Sequence, residues 1–216
     1  MDAASPNNRF SITRRYFEHL EDYDAEGLSE ATWHPVERRV DFDPSQCALI
    51  LLDVWNKNPM GQDGYDQVTR EYIKPVLEAC REAGILVIYA PAPEVADKYP
   101  THRFSPSRPD EWLFAQPKYA SAWPTPQMRA RRGIYEKYNL SSNPDVPQKS
   151  GAQNYEHFLV HPEVAPKGDD MVVGDRKELH LLLEDRKIFH LFYTGFATNG
   201  CMLERDYGVK WTGVYL

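Results

Sequence analysis

Apolar residues along this chain fall into two periodicities that alternate. Residues 47–53, C-A-L-I-L-L-D, are continuously apolar up to a terminal carboxylate, the pattern of a strand buried on both faces of a parallel sheet. Between residues 65 and 83, Val68, Tyr72, Ile73, Val76, Leu77 and Cys80 recur at helical spacing, and Gly84 stands where a helix would be capped. Residues 85–90 read as a second strand. Strand, helix, strand within about 45 residues makes a right-handed βαβ unit. The same grammar returns later, with a short strand at 171–173, a helix at 178–185 and a strand at 188–194. A helix should begin near Asn199, and residues 211–216 read as the start of a further strand. The fold class implied is α/β, a three-layer α/β/α arrangement with a mainly parallel, Rossmann-like sheet.

Two stretches break this rhythm. Residues 1–40 read as a helical and irregular extension packed on a domain spanning 41–216, with Arg14 and Arg15 beside Glu18 and Glu21 forming a solvated helix face. The segment at about 91–150 is an excursion from the sheet: ten of the seventeen prolines fall between 91 and 147, together with Trp112 and Trp123. Proline at that density interrupts helix and strand, while the aromatics argue for order. One short helix is expected at 127–138, in a segment suited to a lid or a subunit contact.

Composition narrows the field. At 216 residues and a mean hydropathy of -0.61, one domain can bury a sizeable core, and no apolar run approaches a membrane span. Residues 1–13 lack the order of a secretory signal, so a cytoplasmic location is expected. Three widely spaced cysteines, Cys47, Cys80 and Cys201, neither close a disulfide set nor match a zinc motif. A formal net charge of -7 without a basic block argues against nucleic acid as a partner.

Chemistry is expected beyond the carboxyl ends of the strands, where Asp53 and Cys201 both belong. Residues 193–202, Y-T-G-F-A-T-N-G-C-M, carry the thiol from a strand into a helix start, a place whose free N–H groups and dipole favour a thiolate. Gly195 permits a tight turn, Thr198 or Asn199 can cap the helix, and N–H groups around Cys201 can serve as an oxyanion hole. A carboxylate near a thiol can take its proton and release a nucleophile for a carbonyl carbon. Trp55 is either a core residue or a flat wall of the pocket, and Asn199 either a cap or a substrate contact. No glycine-rich phosphate loop forms around Gly61 and Gly64, and no G-x-S-x-G elbow occurs. His157 and His161 stand four apart, but Pro162 follows and no third ligand is evident, so they read as ordinary surface or loop histidines.

The elements A-L-I-L-L-D-V-W-N and T-G-F-A-T-N-G-C-M, separated by V-V-G-D-R-K-E-L-H-L-L-L-E-D-R-K-I, resemble the isochorismatase-like cysteine hydrolases, a superfamily that includes nicotinamidases and N-carbamoylsarcosine amidases. The likeness covers roughly residues 46–95 and 160–216. It implies Asp53 as general base, Cys201 as nucleophile and a backbone oxyanion hole involving Cys201 and the step from Ala197 to Thr198. It also implies a lysine at the end of the third strand. That position falls near Gly174 or Asp175, which leaves Lys177, with Arg176 beside it, as the candidate cation. The metal site of nicotinamidases has no counterpart, since Asp97 and His102 lack the spacing, so no metal and no cofactor are expected.

The resulting expectation is a hydrolase cleaving a small amide or related C–N bond through a thioester, assembled as a homo-oligomer, a dimer or tetramer. The family's length implies an apolar edge near residues 214–216. Two rivals remain: a catalytically impaired relative that binds a small molecule or a protein, and a flavodoxin-like nucleotide-binding protein.

Overall fold

The computed structural model describes residues 9–19, 33–57, 64–107, 133 and 155–213. The helix expected at 127–138 and the apolar edge at 214–216 lie outside them, apart from Gly133. The chain divides into two compact units, one of Met1–Ser105 with Phe158–Leu216 and one of Pro106–His157.

The core of the first unit is a four-stranded parallel sheet. Strand β3 (Cys47–Leu52) lies in the middle, with β4 (Leu86–Ala90) on one side and β6 (His190–Gly195) on the other, and β5 (Met171–Val172) follows β4. Every residue of β3 is buried, as its unbroken apolar run requires. Side chains alternate across a strand, so β3 feeds two cores. Cys47, Leu49 and Leu51 pack with Ile73 and Leu77 on one face. Ala48, Ile50 and Leu52 pack with Leu179, Leu182 and Leu183 on the other. Helices therefore cover both faces, which is the three-layer α/β/α fold.

The helix over the first face begins as α1 (Tyr65–Val68), widens into a π-turn at Thr69–Ile73 and continues as α2 (Lys74–Glu82). Pro75 explains the widening. It has no N–H for the carbonyl four residues back, and its ring crowds that carbonyl. The Lys74 amide instead donates to the Thr69 carbonyl, one residue further away than in an α-helix. Gly84 ends the segment with φ at +75°. After β4 a single turn, α3 (Pro93–Ala96), closes the strand end. The opposite face is covered by α4 (Arg176–Arg186), whose N-terminus is capped by the Asp175 carboxylate accepting from the Glu178 amide.

Two expectations are corrected. Residues Phe10–His19 form strand β1, paired antiparallel with β2 (Trp33–Phe42), and not a helix face. Arg14 and Arg15 find their neighbours within the hairpin: Arg15 pairs with Glu37 at 2.5 Å, and Arg14 lies over the Tyr16 ring. Period-two alternation of Phe10, Ile12 and Tyr16 against Val36, Val40 and Phe42 outweighs the charge spacing that suggested a helix. The second correction concerns the strand expected from residue 211. The chain there forms a short helix, α6 (Val209–Thr212), tied to the sheet by the hydrogen-bonded hydroxyls of Tyr193 and Thr212, 3.0 Å apart. Among the described residues no helix is long and apolar enough to cross a membrane.

The register places the site. Leu52 pairs with Ala90 on one side and Gly195 on the other. Asp53 and Phe196, the next residues along, therefore leave the sheet side by side at its carboxyl edge.

Candidate active site

Asp53 leaves β3 in the left-handed region, with φ at +52°, a conformation an L-residue holds only where its surroundings enforce it. The enforcing group is Tyr65, the first residue of α1. Its hydroxyl donates to the Asp53 carbonyl at 3.0 Å and accepts the Trp55 amide at 2.7 Å. Its ring stacks on Phe196, with centroids 3.7 Å apart. One phenol thus fixes the turn after β3 and ties it to the residue that ends β6. The other side of the turn is held by an antiparallel strap, in which the His161 amide donates to the Val54 carbonyl and the Asn56 amide to the Leu159 carbonyl. Trp55 is buried under this strap, edge-on to Phe158 with centroids at 5.0 Å. It belongs to the core rather than to an open pocket wall.

On β6 the strand ends at Gly195, with φ at +144°. A Cβ there would run into the Leu52 carbonyl oxygen. Glycine is what lets β6 close against the end of β3. The chain then folds back tightly. Ala197 is left-handed at φ +57°, and its carbonyl accepts the amides of Gly200 at 2.8 Å and Met202 at 3.1 Å. Thr198 and Asn199 occupy the exposed apex. Neither caps the helix as expected. The cap position falls on Gly200, with no side-chain cap bond, and α5 (Cys201–Glu204) is a single turn. So short a helix carries little of the dipole that was expected to favour the thiolate.

A side chain that the sequence pattern does not single out supplies charge instead. Arg205, four residues after Cys201, donates from Nε to Asp53 Oδ2 at 2.9 Å. Asp53 Oδ1 is buried and accepts no well-formed hydrogen bond, while the Cys201 thiol and the Ala92 amide are turned toward the carboxylate. Asp53, Cys201 and Arg205 are thus brought together at the carboxyl edge of the sheet.

Electrostatics in the cluster pull both ways. Burial pushes the Asp53 carboxyl up from its ordinary value, against the lowering effect of the Arg205 charge and hydrogen bond and of the thiol. Burial also pushes the Cys201 thiol up, helped by the Asp53 charge. Arg205 and the residue's own backbone amide act in the opposite sense. The resting pair therefore favours the protonated thiol.

Lys177 is not part of this cluster. It lies in the first turn of α4, partly exposed, and the cation on Asp53 is Arg205. The place near Gly174 where a strand-end lysine was sought is filled from elsewhere. A Cβ on Gly174 would meet the guanidinium of Arg103, which is itself paired with Glu178 at 2.8 Å. Neighbouring Arg176 lies over the Trp211 ring at 5.2 Å. Arg205 had a faint signal in the sequence, since a residue four after the thiol shares its side of a helix. Tyr65 had none beyond being an aromatic at a helix start.

Among the described residues no group of three or more His, Cys, Asp or Glu side chains could hold a metal ion. His161 is buried with Nε2 3.1 Å from Asp66 Oδ1, and its Nδ1 accepts the Glu163 amide.

By fold and site this is an α/β/α protein carrying an acid, a thiol and a guanidinium at the carboxyl edge of a parallel sheet. No family model matches the chain, and no curated protein does. Among solved structures it is similar to the crystal structure of a cysteine hydrolase from Pseudomonas syringae pv. phaseolicola 1448A, at 20% identity and a TM-score of 0.41, over 81% of this chain and 68% of that one.

Proposed function

We propose that this protein is a cysteine hydrolase that cleaves a small amide or related C–N bond. The observation that carries the proposal is the buried Asp53 carboxylate, fixed at one oxygen by Arg205 and turned toward the Cys201 thiol by the other face of the group. With a substrate carbonyl at the sulfur, the thiol proton passes to Asp53 as the carbon–sulfur bond forms. The tetrahedral intermediate collapses to a thioester when Asp53 returns that proton to the leaving nitrogen. Water then adds to the thioester, again losing its proton to Asp53, and the acid departs as the proton goes back to sulfur.

A carboxyl held above its ordinary range suits this role, because it binds the transferred proton more firmly than an exposed one would. Arg205 holds the carboxylate in place and offsets the negative charge that moves between oxygen and sulfur. The amides of Gly200 and Met202 are spent on the Ala197 carbonyl. The amides of Ala197, Thr198 and Asn199 are therefore the turn's candidates for the oxyanion, together with that of Cys201.

Alkylation separates a base from a mere neighbouring charge. If Asp53 acts only through its charge, Asp53→Asn relieves the thiol and speeds iodoacetamide labelling of Cys201 at pH 7. If Asp53 is the base, the same substitution slows labelling by about a hundredfold or more, the usual range for loss of a positioned base. Faster labelling of the variant, read by mass spectrometry, would leave a non-catalytic binding protein as the better reading. A screen of small amides for ammonia release, with Cys201→Ala as the blank, then defines the substrate.

A further inference from the structure

The backbone groups around Asp53 give Tyr65 a second task. Where β3 ends the chain leaves the ladder, and each buried N–H and C=O needs a partner elsewhere. The Val54 carbonyl accepts the His161 amide at 2.9 Å, and the Asn56 amide donates to the Leu159 carbonyl at 2.8 Å. The Asp53 carbonyl and the Trp55 amide instead meet on one atom, the phenolic oxygen of Tyr65, at 3.0 and 2.7 Å. A hydroxyl serves both because it donates and accepts at once.

That bridge closes over Asp53 and holds its φ at +52°. The common conformations of an L-residue lie at negative φ, so a return to them is a rotation of roughly 110° about the N–Cα bond. Such a rotation redirects the side chain as well. Without the hydroxyl, two backbone groups of buried residues lose a hydrogen-bond partner, a loss costly enough for the turn to rearrange.

The far end of the Asp53 side chain is held differently. Arg205 fixes Oδ2 at 2.9 Å, while Oδ1 accepts no well-formed hydrogen bond and the Cys201 thiol is turned toward the carboxylate. One ion pair is a pivot, and it takes a fixed backbone to give the carboxylate a single direction. Tyr65 is itself firmly set. It is buried, its ring stacks on Phe196 at 3.7 Å, and the Thr69 hydroxyl donates to its carbonyl at 2.9 Å. Phe196 opens the turn that leads to Cys201, so the same phenol sets the acid in register with the thiol.

We propose that Tyr65 is a positioning residue for the reaction at Cys201, its hydroxyl holding Asp53 in the left-handed conformation that aims the carboxylate at the thiol. The inference rests on the reading of Asp53 as the base. Tyr65 moves no proton itself, since its own is donated to the Asp53 carbonyl and burial pushes the phenol well above its ordinary value.

Iodoacetamide labelling of Cys201 at pH 7, read by mass spectrometry, tests the proposal in a cycle of wild type, Tyr65→Phe, Asp53→Asn and the double variant. Phenylalanine keeps a ring to stack on Phe196 and removes the hydroxyl. Tyr65→Phe slows labelling by about tenfold to a hundredfold, the scale on which a small misplacement of a reacting group is felt. In the Asp53→Asn background the same change alters the rate by less than about twofold, because the two residues act as one unit. A hydroxyl that served only the fold would act in the opposite sense, since local loosening exposes a half-buried thiol to the reagent. Para-aminophenylalanine at position 65 returns a donor to the Asp53 carbonyl and restores most of the rate. Slow labelling of Asp53→Asn with Tyr65→Phe as fast as the wild type, or faster, overturns this inference alone. Equal slowing by Tyr65→Phe in both backgrounds overturns it too, because the hydroxyl then acts without Asp53. Labelling of Asp53→Asn as fast as the wild type overturns the base reading and this inference with it. If Tyr65→Phe loses the native circular dichroism, the cycle is run in sucrose, which favours the compact state. Loss of the fold there as well assigns the hydroxyl to stability and overturns the proposal.

Discussion

Asp53 shows how opposed forces can meet in one side chain. It is buried, left-handed in backbone and bonded to a guanidinium, yet burial prevails and its carboxyl sits above the ordinary value. An acid whose folded value lies above its unfolded one is favoured protonated in the native state. The stability it contributes is complete below the unfolded value and is lost as pH rises through the folded one. At pH 7 Asp53 is therefore a burden on the fold. Asp53→Asn keeps an acceptor for Arg205 without the buried charge, so its thermal midpoint at pH 7 should exceed that of the wild type. The gap should narrow as the wild type is acidified toward the range where Asp53 protonates. A variant melting below the wild type at pH 7 would show that the Arg205 pair outweighs burial. Asp53 and Cys201 were readable as residues because each ends or follows an apolar run. Tyr65 was not, and Arg205 only through its spacing of four from the thiol, because a hydroxyl on a backbone carbonyl and an ion pair 152 residues apart in sequence are set by the fold and not by a local period.

Among the elements, those with a strong period were legible and those held by partners were not. The run at 47–52 and the helix around Leu77 and Gly84 appear where the pattern places them. The pattern did not reveal the π-turn, whose cause is a single proline, or the hairpin, whose strands find their register only across the gap between them. The turn after β6 combines both kinds of information. Gly195 is visible as a turn glycine, but its necessity comes from the Leu52 carbonyl in another strand. Gly195→Ala would force a side chain at φ +144° into that carbonyl. The expected cost is on the order of 3 kcal/mol, the upper end for a strained backbone position. Urea denaturation measures it. A loss below about 0.5 kcal/mol, the scale of an ordinary surface change, would mean that β6 can move away from β3.

At the scale of the whole molecule, β3 contributes to two cores, one on each face of the sheet, as its neighbours β4 and β6 also do. Leu77 fills one and Leu182 the other, both without exposure. Leu77→Ala and Leu182→Ala should each cost about 2–5 kcal/mol, and a shared central strand predicts one cooperative unfolding transition in either variant. Two separate transitions by circular dichroism and tryptophan fluorescence would mean that the layers unfold independently. Order along the chain was enough to specify the parallel α/β sheet and the two residues at its carboxyl edge, because burial on both faces demands unbroken apolar runs and chain polarity puts their ends on one side. Folding in three dimensions decided which cation meets Asp53, that Trp55 lies under a strap, that the helix after Cys201 is one turn long, and that residues Phe10–His19 pair as a strand. Each of these depends on a partner far away in sequence, and a contact between distant segments is set by packing rather than by local propensity.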